Sequence, residues 1–190
     1  MPAIELKNII KNFKTPTSDV EVLKNVNFSA DAGSLSLVLG PSGSGKSTFL
    51  TIAGGIQTPT DGIVTTAGEN LEQLSGKARD ALRLDKIGFV LQSYNLVPYL
   101  TVGEQFKLVD KIKPKGNLSR AALSELLDDL GIANLVNQYP ASLSGGQTQR
   151  VAIARALYPD PAIVLADEPT AALDSPRGAV GGQVVAGLLR

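Results

Sequence analysis

The chain has 190 residues, 43% apolar and 19% charged, with 18 basic and 18 acidic side chains; this fits one globular domain, or a domain with a small lobe. It contains no cysteine and no histidine, which excludes disulfides, thiolate zinc sites, cysteine nucleophiles, His-bound metals and imidazole catalysis. Zero formal charge argues against a bulk electrostatic grip on nucleic acid, so the chemistry must rest on carboxylates, amides, hydroxyls, lysine, arginine and backbone.

No apolar run approaches bilayer length, and the start Met1-Pro2-Ala3-Ile4 lacks the charge and apolar pattern of a signal peptide. The sequence therefore predicts a cytoplasmic chain whose membrane contact, if any, is peripheral.

Ile4 and Leu6 alternate with charged neighbours, as do Val20 with Val22 and Val26 with Phe28, the period of half-buried strands. Residues 35–39 are a short apolar run suited to a buried strand. A Gly-rich loop follows, then a helix from Ser47 that stops at Gly54-Gly55. A turn from Pro59 to Gly62 leads to a strand near Ile63, and residues 87–91 read as another buried strand. From Thr101 the pattern is helical: Thr101 and Glu104 have capping-box spacing. Leu123, Leu126, Leu127 and Leu130 form one helical face ended by Gly131, and Ser144 with Gln147 opens a third helix. Residues 162–166 return to a buried strand. This order predicts a parallel-sheet α/β core carrying an inserted helical lobe.

Gly40-Pro-Ser-Gly-Ser-Gly45-Lys46-Ser47 fits G-x-x-x-x-G-K-S/T between a strand and a helix. Its glycines let backbone N–H groups at Gly40, Ser42, Gly43, Ser44 and Gly45 turn inward on a phosphate. Lys46 then reaches the β- and γ-phosphates, Ser47 supplies a hydroxyl to Mg2+, and Thr48 adds a second hydroxyl. Asp167 and Glu168 follow an apolar strand, at the sheet edge where α/β proteins bind ligands. Asp167 suits Mg2+ and Glu168 suits activation of a water, although acidic residues also end strands as solvated turns. Ser144-Gly145-Gly146-Gln147 is a second helix start with bare glycines, either another anion site or an ordinary capped helix.

The phosphate loop, Leu143 to Gln147 and the strand ending at Asp167-Glu168 occur together in the order of ATP-binding cassette (ABC) ATPases, and the sequence resembles that family from about residue 3 to residue 175. The resemblance implies a P-loop NTPase (RecA-like) core with an N-terminal antiparallel β subdomain and an inserted α-helical subdomain. Residues 1–92 and 159–190 would form the β-subdomain and core, and residues 93–158 the helical part. It implies ATP and Mg2+ as ligands, with Lys46, Gln92 and Glu168 catalytic and Ser47, Gln92 and Asp167 at the metal. It assigns Phe13 to adenine stacking, residues 144–147 to a nucleotide held by a second copy, and Asp174, in a D-loop at residues 172–174, to the subunit interface. Ala172 stands where the family more often has serine. The implied assembly is a head-to-tail homodimer with two sandwiched ATP molecules, bound to a membrane permease near residues 92–101. The implied place is the cytoplasmic face of the membrane.

Residues 87–101 resemble small exporters of the macrolide and lipoprotein-release type, and Leu96-Val-Pro-Tyr-Leu100 is similar to the ATPase subunit of bacterial hemin exporters. Tyr94, Leu96, Pro98 and Tyr99 would offer the permease an apolar surface, or else pack inside the helical lobe. The sequence departs from the family in one respect: it has no switch histidine, since it has none at all. It reads as a C-terminally truncated cassette. Residues 177–190 are expected as a helix weakened by Gly178, Gly181, Gly182 and Gly187. The expected activity is binding of Mg-ATP with slow or absent hydrolysis. A soluble ABC ATPase of DNA repair or translation, and a non-enzymatic nucleotide-binding fragment, are the competing readings.

Overall fold

The computed structural model describes residues 2–14 and 18–167, and the backbone of 184–187. The strands are β1 (Ile4–Lys14), β2 (Asp19–Ala30), β3 (Leu35–Val38), β4 (Asp61–Thr66), β5 (Glu69–Asn70), β6 (Ile87–Val90), β7 (Ile163–Ala166) and β8 (Val184–Gly187). The helices are α1 (Lys46–Ala53), α2 (Gly76–Lys86), α3 (Val102–Ile112), α4 (Arg120–Asp129) and α5 (Gly145–Leu157).

One sheet is antiparallel, in the order β2-β1-β4-β5. Alternation in β1 buries Ile4 and Leu6, and then the phase changes: Asn8 takes φ 53° at a register shift, so Ile9 turns inward instead. Asparagine tolerates this left-handed conformation better than most residues. The second sheet runs β3-β8-β7-β6, with β6 and β7 parallel.

Two principal apolar clusters hold the molecule. The larger joins Ile4, Leu6 and Ile9 of β1 to Phe49, Leu50 and Ile52 of α1 and to Ile163 and Leu165 of β7. The second lies among the helices, around Val102, Phe106, Leu127, Ile132, Val151 and Tyr158. There the rings of Phe106 and Tyr158 meet edge to face at 5.4 Å.

Three sequence expectations change. The 35–39 run forms a strand over Leu35–Val38, but Leu35, Leu37 and Leu39 are 68%, 48% and 64% exposed. Leu35, Leu37 and Leu39 alternate onto one face of the run, and that face is the exposed one. The core sheet is mixed rather than wholly parallel, because β8 lies antiparallel between β3 and β7. That same segment was expected as part of a weak helix. Valine and glycine are poor helix formers, and two flanking strands satisfy its backbone on both sides. Helix α2 has no counterpart in the sequence reading. It buries no residue and is fastened by arginines: Arg79 donates to Leu71 O at 2.9 Å and Arg83 to Gly55 O at 2.8 Å. Its one local signal is Ser75, whose side chain caps it.

Candidate nucleotide site

The loop between β3 and α1 is shaped by Gly45, which caps α1 at φ 90°. A Cβ there would lie 2.9 Å from Val22 Cγ1 and 3.0 Å from Leu23 Cδ2, so both conformation and space demand glycine. Helix α1 then starts without any side-chain cap and without an acidic residue in its first turn. The other four α-helices among the described residues start on capping side chains: Ser75, Thr101, Ser119 and Ser144. The first-turn N–H groups of α1 have no intrahelical acceptor, and the helix dipole adds positive potential. This helix end is built to take its acceptor from outside.

A cavity of about 240 Å³ opens at that end. Ser42, Gly43, Lys46, Ser47 and Thr48 line it, and so do Gln92 and Val22. Gln92 follows β6, so the sheet delivers it to the phosphate loop from a distant part of the sequence. Lys46 is buried, and its ammonium donates to Gly40 O at 2.8 Å and Pro41 O at 2.9 Å. The loop's own carbonyls thus pre-position the charge beneath the turn. A second, mainly apolar cavity of about 370 Å³ lies against the loop between Val26, Phe28, Val38 and Phe49.

Asp167 directly follows β7, and its N–H donates to Val90 O at 2.8 Å. Its residue is 7% exposed. Because β6 and β7 are parallel with Val90 opposite Ala166, Asp167 and Gln92 leave the sheet at the same edge. Ser47, Gln92 and Asp167 are hard oxygen donors of the kind Mg2+ prefers. Phe13 sits near the end of β1 opposite Val20, half exposed, with Lys11 Nζ 5.1 Å from its ring centroid. Val20 and Val22 share a face of β2, so an apolar track leads from the phosphate cavity toward Phe13. Neither Val22 nor Lys11 carries a sequence signal for this; strand register alone places them.

Ser144 and Gln147 form a reciprocal capping box: Ser144 Oγ accepts from Gln147 N–H at 3.3 Å, and Ser144 N–H donates to Gln147 Oε1 at 2.8 Å. Residues 144–147, with Gly145 and Gly146, line neither cavity. Of the apolar residues after Gln92, Leu96 packs into the helical cluster while Tyr99 is 76% exposed. Leu96 therefore leaves the expected surface. Glu168 and Asp174 lie outside the described residues.

Residues 23–171 match the model of the ABC transporter family. The chain is 48% identical over 178 residues to the putative hemin import ATP-binding protein HrtA of Staphylococcus haemolyticus, covering 92% of this chain and 79% of that protein. The same-named protein of Staphylococcus aureus (strain MRSA252) is 45% identical over 177 residues, again 92% of this chain and 79% of that one. Among solved structures, the cassette MJ0796, a dimer in a post-hydrolysis state bound to ADP and Pi, has a TM-score of 0.82 at 43% identity, over 92% of this chain and 78% of that chain. A further dimeric structure of MJ0796, a bacterial ABC transporter cassette, gives 0.83 at 43% identity, over 90% and 76%. The curated relatives are named for import, whereas the sequence resemblance pointed to exporters. With the loop, the sheet edge and these likenesses in agreement, the chain belongs to the ABC transporter family, as an ATP-binding subunit in a family of ATPases coupled to transport.

Proposed function

We propose that this chain binds Mg-ATP at the phosphate-loop cavity and, as a homodimer on the cytoplasmic face of a membrane, drives a permease. The observation that carries the reading is the uncapped start of α1, which opens into a cavity shared by Lys46, Ser47 and Gln92. The α1 amides and the backbone N–H groups of residues 40–45 donate to the phosphate oxygens. Lys46 exchanges the carbonyls of Gly40 and Pro41 for the β- and γ-phosphates. Ser47, Gln92 and Asp167 would hold Mg2+, which would supply positive charge to offset that developing on the phosphate. Phe13 stacks on the adenine, and Thr48 supplements the phosphate contacts. Glu168 orients and deprotonates the attacking water.

The two apolar clusters support a division into a β-rich core (1–92, 159–190) and a helical part (93–158). Residues 144–147 of one copy then face the nucleotide of the other, with Asp174 at the shared interface. The dimeric solved relatives support that arrangement. The exposure of Tyr99 supports a permease contact near residues 92–101. Among the described residues no helix is long and apolar enough to cross a membrane, so the path for cargo belongs to that partner. Hemin, named for the relatives, is the first cargo to test, and direction is a property of the permease.

The test is ATP affinity in Lys46→Ala. Loss of a charge-assisted phosphate contact should weaken binding at least about 10-fold; unchanged affinity refutes the site. The ATPase reading also predicts steady-state hydrolysis that Lys46→Ala abolishes; turnover independent of Lys46 refutes it.

A further inference from the structure

Between Gln92 and α3 the chain forms no regular element, yet side chains from two helices pin it. Arg155, in the last turn of α5, donates Nη1 to Asn95 O and Nη2 to Tyr94 O, both at 2.7 Å. Both acceptor residues are left-handed, with φ 55° for Tyr94 and 49° for Asn95. A tyrosine holds that conformation only where its surroundings enforce it. Gln105 of α3, 1% exposed, accepts from Val97 N–H at 3.1 Å and donates to Val97 O at 2.8 Å and Leu100 O at 3.2 Å.

Arg155 forms no ion pair among the described residues. Burial pushes its guanidinium below the ordinary value, a desolvation cost that the two carbonyl bonds offset. A planar fork suits two neighbouring carbonyls in a way that an ammonium does not. The residue is therefore spent on the loop that follows Gln92, and it ties that loop to the helix that begins at Ser144.

We propose that Arg155 is a positioning residue that holds Gln92 at the nucleotide cavity by locking the following loop onto α5. The inference rests on the reading of Gln92 as a contact to bound Mg-ATP.

The test measures ATP affinity of the 190-residue chain with and without Mg2+ in wild type, Arg155→Gln, Arg155→Lys, Gln92→Ala and the Arg155→Gln/Gln92→Ala double variant. Arg155→Gln should reduce the Mg2+-dependent gain in affinity about 10-fold, the usual cost of removing a partner that orients a metal ligand. Metal-free affinity should hold, because the phosphate loop is untouched. Arg155→Lys should fall between, and in the Gln92→Ala background Arg155→Gln should add nothing. A full Mg2+-dependent gain in Arg155→Gln, or losses that add in the double variant, overturns the proposal. Gln92→Ala with its gain intact removes the reading of Gln92, and the positioning role with it. A damaged Gln92→Ala beside a silent Arg155→Gln removes this inference alone. Hydrogen exchange across residues 93–97 reads the lock directly. It should quicken in Arg155→Gln while the rest of α5 stays protected; unchanged exchange there, or loss of protection throughout, also overturns the proposal.

Discussion

Single residues in this molecule are fixed by different forces, and those forces decide how visible they are in sequence. Gly45 is visible because its left-handed turn admits no other residue. Lys46 is visible because the loop pattern names it. Tyr158 is not visible, although it anchors the helical cluster. Its hydroxyl donates to Asp110 Oδ1 at 2.8 Å. Burial first, and then this bond and the Asp110 charge, push its phenol from 10.0 up to about 12. The folded state thus holds the proton more tightly than the unfolded chain. The resulting stability is fully present below pH 10 and is lost as pH rises from about 10 to about 12. Tyr158→Phe should cost about 1–2 kcal/mol at neutral pH. It should also flatten the alkaline loss of stability; denaturant titrations at pH 7 to 11 measure both.

At the scale of elements, local signals succeeded where they are self-contained. The boxes Thr101/Glu104 and Ser144/Gln147 both form as their spacing predicts. Thr101 N–H and hydroxyl hold the Glu104 carboxyl below the usual carboxylate range, as a closed box requires. Helix α2 escaped because its ties run to distant carbonyls at Leu71 and Gly55, which no periodicity records. The exposure of β3 escaped because an apolar run reports composition, not what packs on each face of the strand. The capping box at α5 leaves two roles for Ser144, and one substitution separates them. Aspartate caps as well as serine and favours a helix start, so Ser144→Asp should leave the melting temperature unchanged. Its charge should repel a phosphate presented by a second copy and weaken ATP-driven dimerisation at least about 10-fold. A dimer that persists on light scattering shows that Ser144 is a cap only.

At the scale of the whole molecule, the phosphate cavity and residues 144–147 occupy different parts of one chain, and 144–147 line neither cavity. The proposed homodimer would bring them together, and ATP would then favour the closed pair by mass action. With Glu168 as the proposed base, Glu168→Gln should slow removal of the γ-phosphate and accumulate an ATP-bound dimer at saturating Mg-ATP. Sedimentation that stays monomeric refutes the sandwich. Sequence alone determined the phosphate loop, the two capping boxes, the family and the chemical types at the site, because these depend on steric and hydrogen-bonding rules acting over a few residues. Only the tertiary structure decided that Gln92 joins Ser47 at one cavity, that Asp167 leaves the same sheet edge, that β8 separates β3 from β7 and that Arg155 grips the loop after Gln92. Those relations depend on strand order, register and helix packing, which bring together residues that local sequence leaves independent.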